Sequence, residues 1–356
     1  MKKIKNSLFF LMLMALAVFA LAACSDSSKE EEPKKEEQAT DNTSNTSEAT
    51  DEQQYPITIK HAFGETVIDK KPERVATIAW SNHDVALALG VVPVGFSAAN
   101  YGVQDGSGML PWTAEKLKEL GEENPNIYQD TDGLDFEAIA DSNPDVILAA
   151  YSGITQEDYD TLSQIAPVVA YKETPWVTSW RDQILLNSQG MGMEAEGKQL
   201  LTDTEKLIQD KVSAHPELKG KKAAFAMFMV NDLSKFYIYT PGDPRGEFLG
   251  ELGMEFPAGL QSLVVDENSF YIELSAENAD ALADTEIFIA YGDDATVATL
   301  QADPILGKVP AIQQGNVVII GDNTPLAAAG TPSALSIAYT IDEYVSLISD
   351  AAKNVK

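Results

Sequence analysis

One feature constrains this chain more than any other. From about residue 74 almost to the C-terminus, short apolar runs the length of one strand alternate with stretches whose apolar residues recur at helical spacing. The runs fall at 74–80, 91–97, 145–151, 167–171, 223–230, 235–240, 286–291 and 317–321. Helical patterns fit between them at 83–89, stopping at Gly90, at 136–142, stopping before Pro144, and at 156–165, stopping before Pro167. Parallel strands need a crossover between them, usually a helix, so this alternation predicts an α/β fold with largely parallel sheets. The stretch from Tyr55 onward is roughly 300 residues, more than one hydrophobic core usually serves.

One segment departs from the rhythm. Leu200, Leu201, Leu207, Ile208 and Val212 recur at helical spacing with charges between them, and Pro216 ends the run. This spacing predicts one long amphipathic helix over 194–216, joining a lobe at 55–193 to a lobe at 217–356. A terminal helix is expected from 334 to 348, with Thr331 as its cap and Pro332 in its first turn. The two halves also echo each other. Glu137 opens a helix leading to a strand that ends at Tyr151, and Glu277 does the same towards Tyr291, with fourteen residues from Glu to Tyr in both.

The first 54 residues are of another kind. Lys2, Lys3 and Lys5 precede an apolar run at 8–22 and then Leu21-Ala22-Ala23-Cys24. A basic start, an apolar centre and a small-residue cut site describe an export signal over 1–23. The run is too short and wrongly flanked for a membrane span. Cys24 is the single cysteine, so no disulfide within the chain uses it. Residues 25–54 hold no Val, Ile, Leu, Met, Phe, Trp or Tyr and cannot bury enough apolar surface to order themselves. The segment 24–54 reads as a flexible tether spanning on the order of 30 Å. The formal charge is −30, becoming −33 once the three signal lysines are gone. Such acidity argues against nucleic acid and against adsorption to anionic lipid.

Ligands of open parallel α/β sheets bind beyond the carboxyl ends of the strands. Trp80, Tyr151, Tyr239 and Tyr291 stand at or near such ends, and Tyr101, Trp112, Trp176 and Trp180 stand in loops. Each could equally close the core beneath a loop, but their clustering at strand ends favours a cleft for a large, partly apolar ligand. Arg245, in a loop between strand and helix, can offer fixed donors to ligand oxygens, although a salt bridge with Asp243 or Glu247 is the plainer alternative. Arg181, beside Trp180, is a second candidate. Catalytic and metal chemistry find no footing. His61, His83 and His215 lack ligand spacing, and no G-x-S-x-G elbow or phosphate loop occurs.

Leu-Ala-Ala-Cys resembles the lipobox of bacterial lipoproteins, in which the cysteine is acylated and becomes the first residue. Further segments resemble the substrate-binding proteins of ABC importers, in their ferric-siderophore group. They are Arg74-Val75-Ala76-Thr77-Ile78 with Ala88-Leu89-Gly90-Val91-Val92-Pro93-Val94-Gly95, and Phe136-Glu137-Ala138-Ile139 with Asn143-Pro144-Asp145-Val146-Ile147-Leu148. Ser179-Trp180-Arg181-Asp182-Gln183 and Phe248-Leu249-Gly250-Glu251-Leu252-Gly253 are similar too. The resemblance implies two Rossmann-like lobes joined by a single long helix, a class III periplasmic binding protein architecture. It implies a monomer, lipid-anchored outside the cytoplasm, with no cofactor and no enzymatic activity. It implies that Glu137 and Glu277, one on each lobe, dock onto the arginines of an ABC permease. A helix-start acid favoured by the dipole is the plainer reading of each.

The implied ligand is a ferric siderophore. Catecholate complexes are strongly anionic and prefer several basic residues. Here two candidate arginines stand in a very acidic chain, which leans towards a hydroxamate-type complex that is nearly neutral. Haem or cobalamin is the alternative within the family, and an extracellular hydrolase the alternative outside it.

Overall fold

A computed structural model describes residues 54–130, 132–266 and 269–355, and the expected signal, the tether and Cys24 lie outside the described residues. Among the described residues no helix is long and apolar enough to cross a membrane.

The body opens with a hairpin, β1 (Ile57–His61) and β2 (Gly64–Ile68). There follow β3 (Val75–Thr77), α1 (Asn82–Ala88), β4 (Gly95–Ser97), α2 (Pro111–Glu119), β5 (Ile127–Tyr128), α3 (Phe136–Asp141), β6 (Val146–Ala149), α4 (Gln156–Leu162) and β7 (Val168–Ala170). Their strands form an all-parallel sheet in the order β5-β4-β3-β6-β7. Two helices lead onward, α5 (Trp180–Gly190) and the 20-residue α6 (Glu194–Ser213).

The second half runs β8 (Ala223–Phe228), β9 (Lys235–Tyr239), α7 (Pro244–Glu251), α8 (Ala258–Gln261), β10 (Tyr271–Ser275), β11 (Ile287–Gly292), α9 (Thr296–Ala302), α10 (Pro310–Gln314), β12 (Val317–Gly321), α11 (Pro325–Ala328) and α12 (Ala334–Ala352). Its sheet order is β10-β9-β8-β11-β12. Here the expectation of largely parallel pairing needs correcting. β8, β11 and β12 are parallel, whereas β9 and β10 join antiparallel at one edge, since β8 and β9 are connected by a loop too short for a crossover.

Strand ends explain where apolar runs stop being strands. β3 ends at Thr77 although the run continues to Trp80, because Ala79 and Ser81 turn into the left-handed region at φ 60 and 59. The cap of α12 is Ser333 rather than the expected Thr331: the Ser333 hydroxyl accepts from the Ser336 N–H, and Ser336 answers in a reciprocal capping box.

The core does not divide at the long helix. One buried cluster takes in Val75, Leu148, Val169 and Ile184 from the first half, and Phe225, Ile289, Ile337 and Ile341 from the second. Burying each such side chain stabilises by roughly 1.5–3 kcal/mol, so prising the halves apart would expose a costly surface. The helix α12 belongs to neither half alone. It packs on α6, β11 and β12, and also on α1 and α2 of the first half. At its start Ser333 Oγ donates to the fully buried Asp84 of α1, which also accepts from Trp112 Nε1 at 3.0 Å and Thr113 Oγ1 at 3.2 Å. Burial raises the Asp84 pKa, and His83, Ser333, Trp112 and Thr113 pull against that rise.

Candidate ligand-binding cleft

Between the carboxyl ends of the two sheets lies a cleft of about 1240 Å³. Seven residues expected at a ligand site line it: Trp80, Tyr101, Tyr151, Trp176, Tyr239, Arg245 and Tyr291. Trp80 is held out from β3 by the two left-handed residues that flank it, strain of the kind that persists where surrounding structure imposes it. Its buried Nε1 has no partner. Trp176 is itself left-handed, at φ 61, and 38% exposed. Its ring meets Tyr151 edge-on at 5.3 Å. The indole lies so close over Gly153 that a Cβ there would sit 2.3 Å from Nε1, so any side chain at 153 would push the indole aside.

From the other half, Arg245 reaches in from the first turn of α7. Its guanidinium carbon lies 4.2 Å over the Tyr239 ring. Nη1 donates to both oxygens of Asp243, at 3.2 and 3.1 Å, while the buried Nε has no partner. Asp243 also caps α7 through the Arg245 N–H at 2.8 Å. Burial pushes the Asp243 carboxyl up to about 6, and Arg245 limits the rise. Burial, the largest influence, disfavours the Arg245 charge, but Asp243 together with Tyr291, Tyr151 and Tyr239 outweighs it and the pKa is raised. Tyr291 donates to Ala327 O at 3.2 Å. Tyr101 crosses between the halves, donating to Asp322 Oδ1 at 2.6 Å, and burial with that bond raises its phenol to about 12. Beside it Gly102, at φ 82, donates its N–H to Asn323 Oδ1 at 2.7 Å.

Three candidates stand elsewhere, which corrects their expected role. Trp112 is 4% exposed because its N–H is drawn to Asp84. Trp180 is 1% exposed and fills the shared core. Arg181 lies 4.4 Å over the Trp180 ring and pairs with Glu205 at 2.7 Å and with both oxygens of Glu251, so it ties α5 to α6 and α7. His83 is buried on Phe96, and burial lowers its pKa. Glu137 is exposed in the first turn of α3, and Glu277 is exposed in the first turn of a 3-10 helix at Ala276–Leu282.

Asp243 was foreseen as a partner of Arg245, but sequence reading missed the cleft's other aspartates, Asp130, Asp158, Asp293, Asp294 and Asp322, and its apolar rim at Met227, Val230 and Phe270. Asp130 follows a two-residue strand that leaves no readable pattern. Asp293 and Asp322 could have been found, since both come directly after strand ends. Among the described residues no group of three or more His, Cys, Asp or Glu side chains is placed to hold a metal ion. The cleft can therefore stack a large ligand on aromatic faces and offer guanidinium donors of Arg245 to its oxygens.

Comparison with known proteins agrees with this geometry. The family model described as "Periplasmic binding protein" matches residues 75–324. The ferrichrome complex of PiaA from Streptococcus pneumoniae TIGR4 is 57% identical, with a TM-score of 0.81, covering 84% of this chain and all of that one (100%). SirA of Staphylococcus aureus, complexed with staphyloferrin B, is 25% identical at a TM-score of 0.62, covering 83% of this chain and 97% of that one. A "Probable siderophore-binding lipoprotein YfiY" of Bacillus subtilis (strain 168) is 24% identical, over 96% of this chain and 98% of its own length.

Proposed function

The chain belongs to the periplasmic binding protein family, and we propose that it captures a ferric siderophore of the hydroxamate type outside the cytoplasm and delivers it to an ABC permease for iron import. The observation that carries this reading is Arg245, stacked on Tyr239 with part of its guanidinium side chain open, inside an aromatic cleft where, among the described residues, no three His, Cys, Asp or Glu side chains gather to hold a metal ion. A coordinately saturated iron complex needs such a host: it brings its own iron ligands and asks for apolar faces and a few donors to its outward oxygens. The 57% identity to a ferrichrome-binding protein supports the hydroxamate class. Residues 55–193 and 217–356 act as the two lobes that close on the ligand, and 194–216 as the strut between them. Acylation of Cys24 would hold the body near its permease on the tether of 24–54, and the likeness to a named lipoprotein supports that anchoring. Glu137 and Glu277, both exposed, are the proposed grips for the permease. The chain works by binding, without turnover.

Titrating the protein with ferrichrome while following tryptophan fluorescence tests the reading, since Trp80 and Trp176 line the cleft. Saturable quenching with the ferric complex recovered unchanged is expected. Absence of any response to ferric hydroxamates, or degradation of the ligand, would overturn it.

A further inference from the structure

The cleft has an unusual charge balance. Among the described residues that line it, one arginine and no lysine face six aspartates. The arginine's charge is already answered. Asp243, 1% exposed, holds Nη1 with both carboxylate oxygens, so the pair as a unit is neutral. What remains for a ligand is hydrogen-bonding capacity without net charge. Asp243 engages Nη1 alone, the side chain keeps 19% of its surface open, and a guanidinium carries five N–H donors in all. Of the other five, Asp130, Asp158, Asp293 and Asp322 accept hydrogen bonds from hydroxyl or amide groups, and among the described residues no ion pair is found for these four or for Asp294. Uncompensated carboxylates repel an anionic guest, most where they are half-buried as Asp130 and Asp158 are, and leave a neutral one nearly untouched.

We propose that Asp243 is a specificity-determining residue: by cancelling the Arg245 charge while leaving donors free, it makes the cleft select uncharged ferric complexes and reject anionic ones. This rests on the siderophore reading above. Asp243 acts through Arg245 and need not touch the ligand. Its position suits the task, because the same carboxylate caps α7 and so fixes where the guanidinium stands. Rejection is as much a part of specificity as attraction, and here the repulsive element is built into the binding arginine's own partner.

The test compares ferrichrome, a neutral tris-hydroxamate complex, with ferric enterobactin, a trianionic tris-catecholate, on the wild type and on Asp243→Asn. The amide keeps an acceptor for the α7 cap and removes the charge. Wild type should prefer ferrichrome strongly, and D243N should narrow that preference by roughly tenfold or more. Adding Arg245→Gln to D243N should abolish the gain, which a merely structural effect of D243N would not do. Should D243N fold poorly, Asp243→Ser keeps a capping hydroxyl and makes the same prediction. Ferrichrome binding with an unaltered preference in the folded variants would overturn the role of Asp243 and leave the site reading intact. A wild type that bound neither complex would overturn both.

Discussion

At the scale of single residues, the cleft turns on Arg245. Its donors and the face it lays on Tyr239 make it the polar centre of an aromatic surface. Arg245→Ala should weaken ferrichrome binding by about 1.5–3 kcal/mol, the worth of hydrogen bonds from a charged group. Isothermal titration measures this, and an unchanged dissociation constant would return the residue to a purely structural role. The aromatic candidates teach what a sequence can and cannot say at this scale. Trp80, Tyr151 and Tyr291 could be placed because parallel strand ends in α/β sheets face a common edge, whereas Tyr239 ends the antiparallel β9 opposite Phe225 and that rule does not account for it. Trp112 could not be told from them. Its fate was decided by a buried carboxylate 28 positions away, Asp84, whose need for donors outweighs anything local to the tryptophan. Trp180 likewise sits at a helix start like several cleft residues, yet faces inward onto the shared core.

At the scale of elements, helix α7 joins the cleft to the strut. Arg245 faces the ligand space at its start, and Glu251 meets Arg181 of α5 near its end. Between them Glu247 is pushed up to about 7, first by burial and then by Glu251 nearby, with Arg181 opposing. The folded protein thus binds a proton that the unfolded chain, near 4.5, has already released. Stability falls as pH rises through that window and levels off above 7. Glu247→Gln should flatten this loss, raising stability over wild type by about 1–2 kcal/mol at pH 8 and much less at pH 5. Urea unfolding at the two pH values checks the difference, and equal gains at both would show that charge is not the cause. Which elements were legible follows the same physics. Strands buried on both faces, such as β6 and β11, read as continuous apolar runs. β10 did not, because Glu273 and Ser275 point to solvent from an edge. The hairpin β1–β2 went unread, although Ile57, Ile59 and His61 alternate inward and a turn precedes Gly64. α5 announced itself by Ser179 and Asp182, whose N–H the serine hydroxyl accepts.

At the scale of the whole molecule, the proposed grips at Glu137 and Glu277 lie outside the cleft, so capture and delivery should separate by mutation. Reversing both charges to lysine should abolish siderophore-dependent iron uptake in cells while ferrichrome affinity of the purified protein stays within about twofold of wild type. Uptake that persisted would remove the docking role. The broad architecture was within reach of the sequence because alternation dictates layers. The continuity of the core across the halves was not, since it depends on which faces of α12 meet which neighbours.

That continuity reaches beyond stability. With α6 packed along α12, α12 laid over both halves, and apolar side chains shared beneath, swinging the two halves apart would expose that shared core, and the expectation is of little movement when the cleft empties. A vacant copy and a laden copy then wear nearly the same outer coat. A receiver in the membrane would meet them as rivals for one berth, and the traffic of iron would depend on the ratio of full carriers to idle ones, not only on how many carriers are full.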